Sequence, residues 1–203
     1  MFCLNGRRSE MNERGDDRVF AIGDTIIYTG HSVCKITGIR NMTVGYETSP
    51  YFVIKPVFEE KSTLYIPVGN KKTEARMRPV LSVDEIYALI RDMPDVHTIW
   101  IENENERKEL YNRILSGADR SALVTLIITL YLHEQELKEI GKGKKLHASD
   151  ERFLKDAEEA LYDEFAHVLD IDRDDVLPFI FEQIEKGAQN LPDAALHIVK
   201  SES

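Results

Sequence analysis

Six histidines, two cysteines and a large set of carboxylates are the groups with which this 203-residue chain could do chemistry. Their spacing argues against most of it. His31, His97, His133, His147, His167 and His197 are scattered, with no His-x-x-x-His and no Cys-x-x-Cys pair. A tetrahedral zinc site needs clustered ligands, so no metal and no cofactor is expected. Cys34 lies close to His31, but a cysteine nucleophile needs a base and a third group to orient that base. Nothing near them supplies the third group, and Cys34 reads more simply as a small core residue in a strand. The paired acids Glu158-Glu159 and Asp174-Asp175 fit a helix surface and a helix N-terminus. No glycine-rich phosphate loop is present. These observations exclude the common catalytic constellations, and the chain is not expected to be an enzyme.

Charge is more informative. The formal net charge is -10. Residues 1–16 are neutral, residues 17–80 hold nine Lys/Arg against six Asp/Glu, and residues 81–203 hold 14 against 27. A mildly basic first half therefore precedes a strongly acidic second half. A whole-domain basic footprint for nucleic acid is absent, and DNA contact would need a local patch. One exists: from Lys138 to Lys155 six basic residues face three acidic ones. Lys142, Lys144 and Lys145 sit there in a glycine-rich stretch suited to phosphate contact; a solvated loop explains the same residues.

The elements that would position these groups differ between the halves. Residues 19–80 read as β. Gly23-Asp24 is a turn signal before Thr25–Tyr28, Val33–Ile39 alternates, a polar stretch follows, then Tyr51–Lys55 ended by Pro56, then Thr63–Ile66 before Pro67. Four or five short strands separated by turns predict a small barrel. Residues 82–187 switch to the helical period. Ser82 and Glu85 form a capping-box pattern ahead of Ile86, Leu89, Ile90 and Met93. Asn103 caps a second helix and Asp119 a third, the most apolar and so the expected centre, with Tyr131 on its inner stripe. Ser149 caps a fourth. A fifth starts near Asp174, with Pro178 in its first turn and Gly187 at its close. The expected fold is α+β in two domains, a small β-barrel followed by an all-α bundle of about five helices. The expected bounds are an extension at 1–18, the barrel at 19–78, helices at 81–188 and a tail at 189–203.

Particular residues carry a resemblance. Phe20, Gly23, Asp24, Ile26, Ile27 and Tyr28, with Ile66-Pro67-Val68, resemble the N-terminal module of the CarD/CdnL family of bacterial transcription regulators. The same module is the polymerase-interacting domain of the transcription-repair coupling factor, whose helicase motor has no counterpart here. Trp100, Arg107, Ser116-Gly117, Leu146-x-x-Ser149-Asp150 and Glu164-Phe165-Ala166 resemble the helical half of full-length members. The resemblance implies a Tudor-like barrel that pairs its sheet edge with the β subunit of RNA polymerase. It implies a helical domain laid on promoter DNA, without sequence specificity, near the upstream edge of the open bubble, where it tunes open-complex stability.

On that reading the polymerase-binding residues are Arg40, Thr63, Leu64, Tyr65, Ile66 and Pro67. Tyr65 stands where well-known members have an arginine, and a second family arginine maps to Met42, with Arg40 nearby. The DNA-binding residues are Trp100, Asn103, Arg107, Lys108, Lys142, Lys144 and Lys145. Trp100 is a wedge at an unstacked base step, or it packs between domains or in the core. Arg107 and Lys108 contact phosphate, or pair with Glu104 or Asn103.

The resemblance starts at Phe20, so Met11 is an alternative start. No signal peptide is expected, and no apolar run reaches the roughly 20 residues that cross a bilayer. A monomer in the cytoplasm, at the nucleoid through polymerase, is expected. A protein-interaction adaptor that does not touch DNA is the second reading, favoured by the acidity of the helical half.

Overall fold

The computed structural model describes residues 20–28, 33–58, 62–117, 119–141 and 144–189. Strands β1 (Thr25–Tyr28), β2 (Val33–Val44), β3 (Glu47–Pro56), β4 (Leu64–Pro67) and β5 (Met77–Pro79) build one antiparallel sheet in the order β4-β3-β2-β1-β5. The expected small barrel is thus a five-stranded sheet with β4 and β5 at its two ends. Its core is Ile26, Cys34, Ile36, Phe52, Ile54 and Ile66, with Met77. Cys34 is fully buried there, as a small apolar residue should be; His31 lies outside the described residues.

The stretch after Ile39, read as a polar connection, is instead a hairpin. Arg40 pairs with Tyr51, Met42 with Ser49, and Thr43 with Thr48, whose hydroxyl lies 2.8 Å from that of Thr43. Polar residues hide this because both faces of the hairpin are largely exposed. Its turn is carried by Gly45 at φ 69°, the positive φ that a two-residue hairpin loop requires at its first position in a II′ turn. The pairing register shifts between Ile36 and Gly38. Two further elements went unread: the four-residue α1 (Lys71–Glu74), capped by Asn70, and β5, too short to show a period.

Five longer helices follow: α2 (Val83–Asp92), α3 (Glu104–Ser116), α4 (Arg120–Ile140), α5 (Ala148–Leu169) and α6 (Arg173–Gln189). The Ser82–Glu85 capping box forms as expected, and Asn103 and Asp119 cap α3 and α4. The Ser82 backbone and hydroxyl hold the Glu85 carboxyl below its usual value. Leu123, Leu126 and Leu130 place α4 in the core with Ile86, Tyr111 and Phe165.

Four expectations fail. Ser149 does not cap α5; His147 is the cap residue, and its carbonyl accepts from the Asp150 and Glu151 amides. Tyr131 is exposed rather than inward. Pro178 lies inside α6 rather than in its first turn, because that helix begins at Arg173. The Pro178 ring is exposed, and the inner stripe is carried by Val176 and Ile180. Gly187 does not end α6, which runs to Gln189; the expected tail beyond it lies outside the described residues, as does the extension.

No helix among the described residues is long and apolar enough to cross a membrane.

Candidate functional site

Two places could bind a partner: the β4 end of the sheet and the surface of the helices around Trp100. On β4, the Val68 amide donates to the Pro50 carbonyl at 2.9 Å. That bond sets the phase of the ladder. In an antiparallel pair, positions alternate between those that exchange hydrogen bonds and those that do not. With Pro50 opposite Val68, the exchanging pairs are Phe52 with Ile66 and Ile54 with Leu64, while Tyr65 faces Val53 and Pro67 faces Tyr51 without exchange. Val53 confirms the phase, since its carbonyl accepts from the Thr37 hydroxyl of β2 at 3.0 Å, on the other side of β3. The N–H and C=O of Tyr65 therefore point away from β3. Pro67 stands at the one kind of position where a missing N–H costs the ladder nothing. Ile66 is buried, and the Tyr65 side chain is 42% exposed. Thr63 and Arg40 are exposed as well, Arg40 on β2, two strands away.

The second place is built differently. Arg107 on α3 is only 5% exposed. Its Nε and Nη2 donate to Asp150 on α5 at 3.3 and 2.9 Å, and its Nη1 donates to the carbonyls of Ile101 and Glu102 at 2.6 and 3.3 Å. The guanidinium carbon lies 4.3 Å from the centre of the Trp100 ring. The His133 ring of α4 stacks on Trp100 with centroids 3.6 Å apart and planes 24° apart. A stack that close leaves no room for the guanidinium on the same face, so His133 and Arg107 cover opposite faces of the indole. The indole N–H donates to Glu102 at 3.1 Å. The chain before it is pinned to α4 by the Ile99 amide donating to Thr129. Beside the cluster, burial with the Asp150 charge pushes the Tyr111 hydroxyl up to about 12.

Residues 20–81 match the family model of the CarD-like/TRCF RID domain. This stretch is similar to that domain, and RID denotes it below. The family is an interaction domain that engages RNA polymerase, not a catalytic one. The RID here comprises the whole sheet and ends at Leu81, one residue before the Ser82 cap of α2.

The structure separates the residues proposed for DNA. Arg107 ties α3 to α5, and every nitrogen of its guanidinium already has a partner inside the protein. Trp100 packs within the helical half rather than between the domains, with both ring faces taken. Asn103 spends its side-chain oxygen on the Asn105 and Glu106 amides. Lys108 pairs with Glu104 at 2.5 Å on the surface, the local alternative among the two readings, which leaves it a weak and solvent-screened pair. Lys144 and Lys145 remain exposed in the connection between α4 and α5; Lys142 lies outside the described residues. Among the described residues, no group of three His, Cys, Asp or Glu side chains is placed to hold a metal ion.

Sequence reasoning also missed a buried carboxylate. Glu164 on α5 is fully buried and binds Arg78 of the RID and Arg120 of α4. Its signal was available. Ala157, Leu161 and Glu164 share one helical stripe, and a charge on a core stripe must have a buried partner.

Proposed function

We propose that the RID docks its β4 edge on a strand of the RNA polymerase β subunit. The helical domain then reaches promoter DNA near the upstream edge of the open bubble and tunes open-complex stability. The observation that supports docking best is the β4 edge of the matched domain. Tyr65 turns a donor and an acceptor outward, in the arrangement that strand addition uses, where backbone bonds supply affinity and alternate side chains supply specificity. Thr63, Leu64, Ile66 and Pro67 frame that position, and Arg40 lies further along the sheet. Tyr65 in place of an arginine makes this contact less charged.

For DNA, the reading rests on Lys144 and Lys145, with Lys142 beside them in sequence. Flexible lysines position phosphates and read no bases, so the contact is not sequence-specific. Trp100, packed between Arg107 and His133, braces α3 against α4 on this reading rather than acting as an open wedge. The adaptor reading keeps one observation in its favour, the excess of 13 negative charges in residues 81–203. Affinity for forked DNA across a salt series separates the two. A DNA contact through Z phosphates gives a log–log slope near -0.9Z. No measurable binding to forked DNA at low salt, with polymerase binding retained, leaves the adaptor.

A further inference from the structure

The junction between the RID and the helices is very short. β5 ends at Pro79 and α2 begins at Val83. A connection of this length can act as a hinge unless something fixes it. Here a carboxylate bridges it, beside the packing of β2 against α5. Arg78 donates to both oxygens of Glu164, through Nη1 to Oε1 at 2.8 Å and Nη2 to Oε2 at 2.5 Å. The Leu81 amide donates to Oε1 at 2.9 Å, and Arg120 donates through Nε to Oε2 at 2.7 Å. A carboxylate has about four lone-pair sites, and all four are occupied. Two of the donor groups, Arg78 and Leu81, bracket the junction with only Pro79 and Val80 between them. The third, Arg120, holds Glu164 to α4. Arg78 Nη1 also donates back to the Pro79 carbonyl at 2.8 Å, which fixes the arginine against its own chain.

The bidentate geometry matters as much as the charge. Two parallel N–H···O bonds define the plane of the carboxylate relative to the guanidinium. Rotation of the sheet about the junction would break both bonds and leave a buried, half-paired carboxylate, which is strongly unfavourable. The capping box at Ser82 starts α2 directly after the clamp, so no slack follows it.

We propose that Glu164 is a positioning residue, whose carboxylate clamps Arg78 and Leu81 and so fixes the angle between the RID and the helical domain. The clamp holds the β5 end of the sheet, while β4 is the opposite end. It does not depend on what β4 binds. The test is ¹⁵N relaxation of the full-length protein, read as rotational correlation times for sheet amides and for helix amides. The wild type gives one common time. Arg78→Leu leaves the Arg120–Glu164 pair intact and gives two different, shorter times, with amide dispersion retained in both halves. Arg78→Lys, which restores charge without the bidentate fork, falls between. A loss of stability alone would not split the times. Two times in the wild type overturn the proposal whatever the variants do. A single time in a folded Arg78→Leu protein overturns it as well. Should Arg78→Leu unfold the sheet, Arg78→Gln replaces it; if both unfold the sheet, Arg78 serves sheet stability and the positioning role is overturned.

Discussion

The β4 edge and the Trp100–Arg107 cluster make opposite use of polar groups. At β4 the outward N–H and C=O of Tyr65 are directed away from the sheet by the ladder phase. Around Trp100 each strong donor is consumed internally: three guanidinium nitrogens by Asp150 and two carbonyls, the indole N–H by Glu102, and both ring faces by neighbours. A surface that recognises a partner keeps hydrogen-bonding capacity in reserve, and one that stabilises a fold spends it. By that measure the aromatic–arginine cluster is spent on the fold, and the β4 edge keeps a donor and an acceptor directed away from its own sheet, as the proposed docking requires.

This contrast breaks most visibly at Arg107. Arg107→Ala leaves Asp150 buried without its partner, and the expected loss is about 3–5 kcal/mol of unfolding free energy, measured by urea denaturation. A loss under about 0.5 kcal/mol, the usual size for a surface substitution, would return Arg107 to the pool of phosphate-binding candidates. Trp100→Ala is expected to cost about 2 kcal/mol, less than the 3–5 of a fully buried aromatic, since the residue as a whole is only half-buried.

Acid sharpens the comparison at Glu164. Burial alone would raise its carboxyl, but the hydrogen bonds and charge of Arg78, the charge of Arg120 and the Leu81 amide hold it below the ordinary 4.5. A depressed folded value means stability that is complete above the ordinary value and is lost as pH falls through the folded one. Thermal unfolding from pH 7 down to pH 3 should therefore show a loss that begins below about 4.5. In Glu164→Gln that component should be missing, on a baseline already lowered by two buried guanidinium groups. An equal acid response in the variant contradicts the assignment.

The smallest effect on stability is expected at Lys144→Glu with Lys145→Glu. Both side chains are exposed, so unfolding free energy should move within about 0.5 kcal/mol. The salt slope of forked-DNA binding should meanwhile shrink by roughly 1 for each phosphate that no longer meets a lysine. An unchanged slope removes these lysines from the interface.

Local signals made much of this molecule readable from sequence. Ser82, Asn103 and Asp119 each precede a helical period, and a cap acts within one turn, so their helices were legible. Cys34 among β-formers was readable as core for the same reason. The failures share a cause. The outer part of the β2–β3 hairpin is exposed on both faces, so alternation could not reveal it. β5 is three residues long and exists because β1 offers it an edge. Arg107 and Asp150 are 43 residues apart, and Arg78 and Glu164 are 86 apart. Nothing local in either sequence window tells a buried arginine from a solvated one. The ladder phase that turns Tyr65 outward depends on which of two alternating registers is bonded, which a sequence does not encode locally.

The most direct test is binding of the full-length protein to the isolated β-lobe fragment of a bacterial RNA polymerase, with Tyr65→Ala and Tyr65→Pro beside the wild type. Proline at an outward position leaves the β3–β4 ladder intact and removes only the donor aimed at the partner. The account predicts saturable wild-type binding, a modest loss for alanine and a loss of about tenfold for proline, the upper range for one backbone hydrogen bond. Wild-type affinity in a folded Tyr65→Pro protein, or no binding of the wild type at all, would contradict docking through the β4 edge.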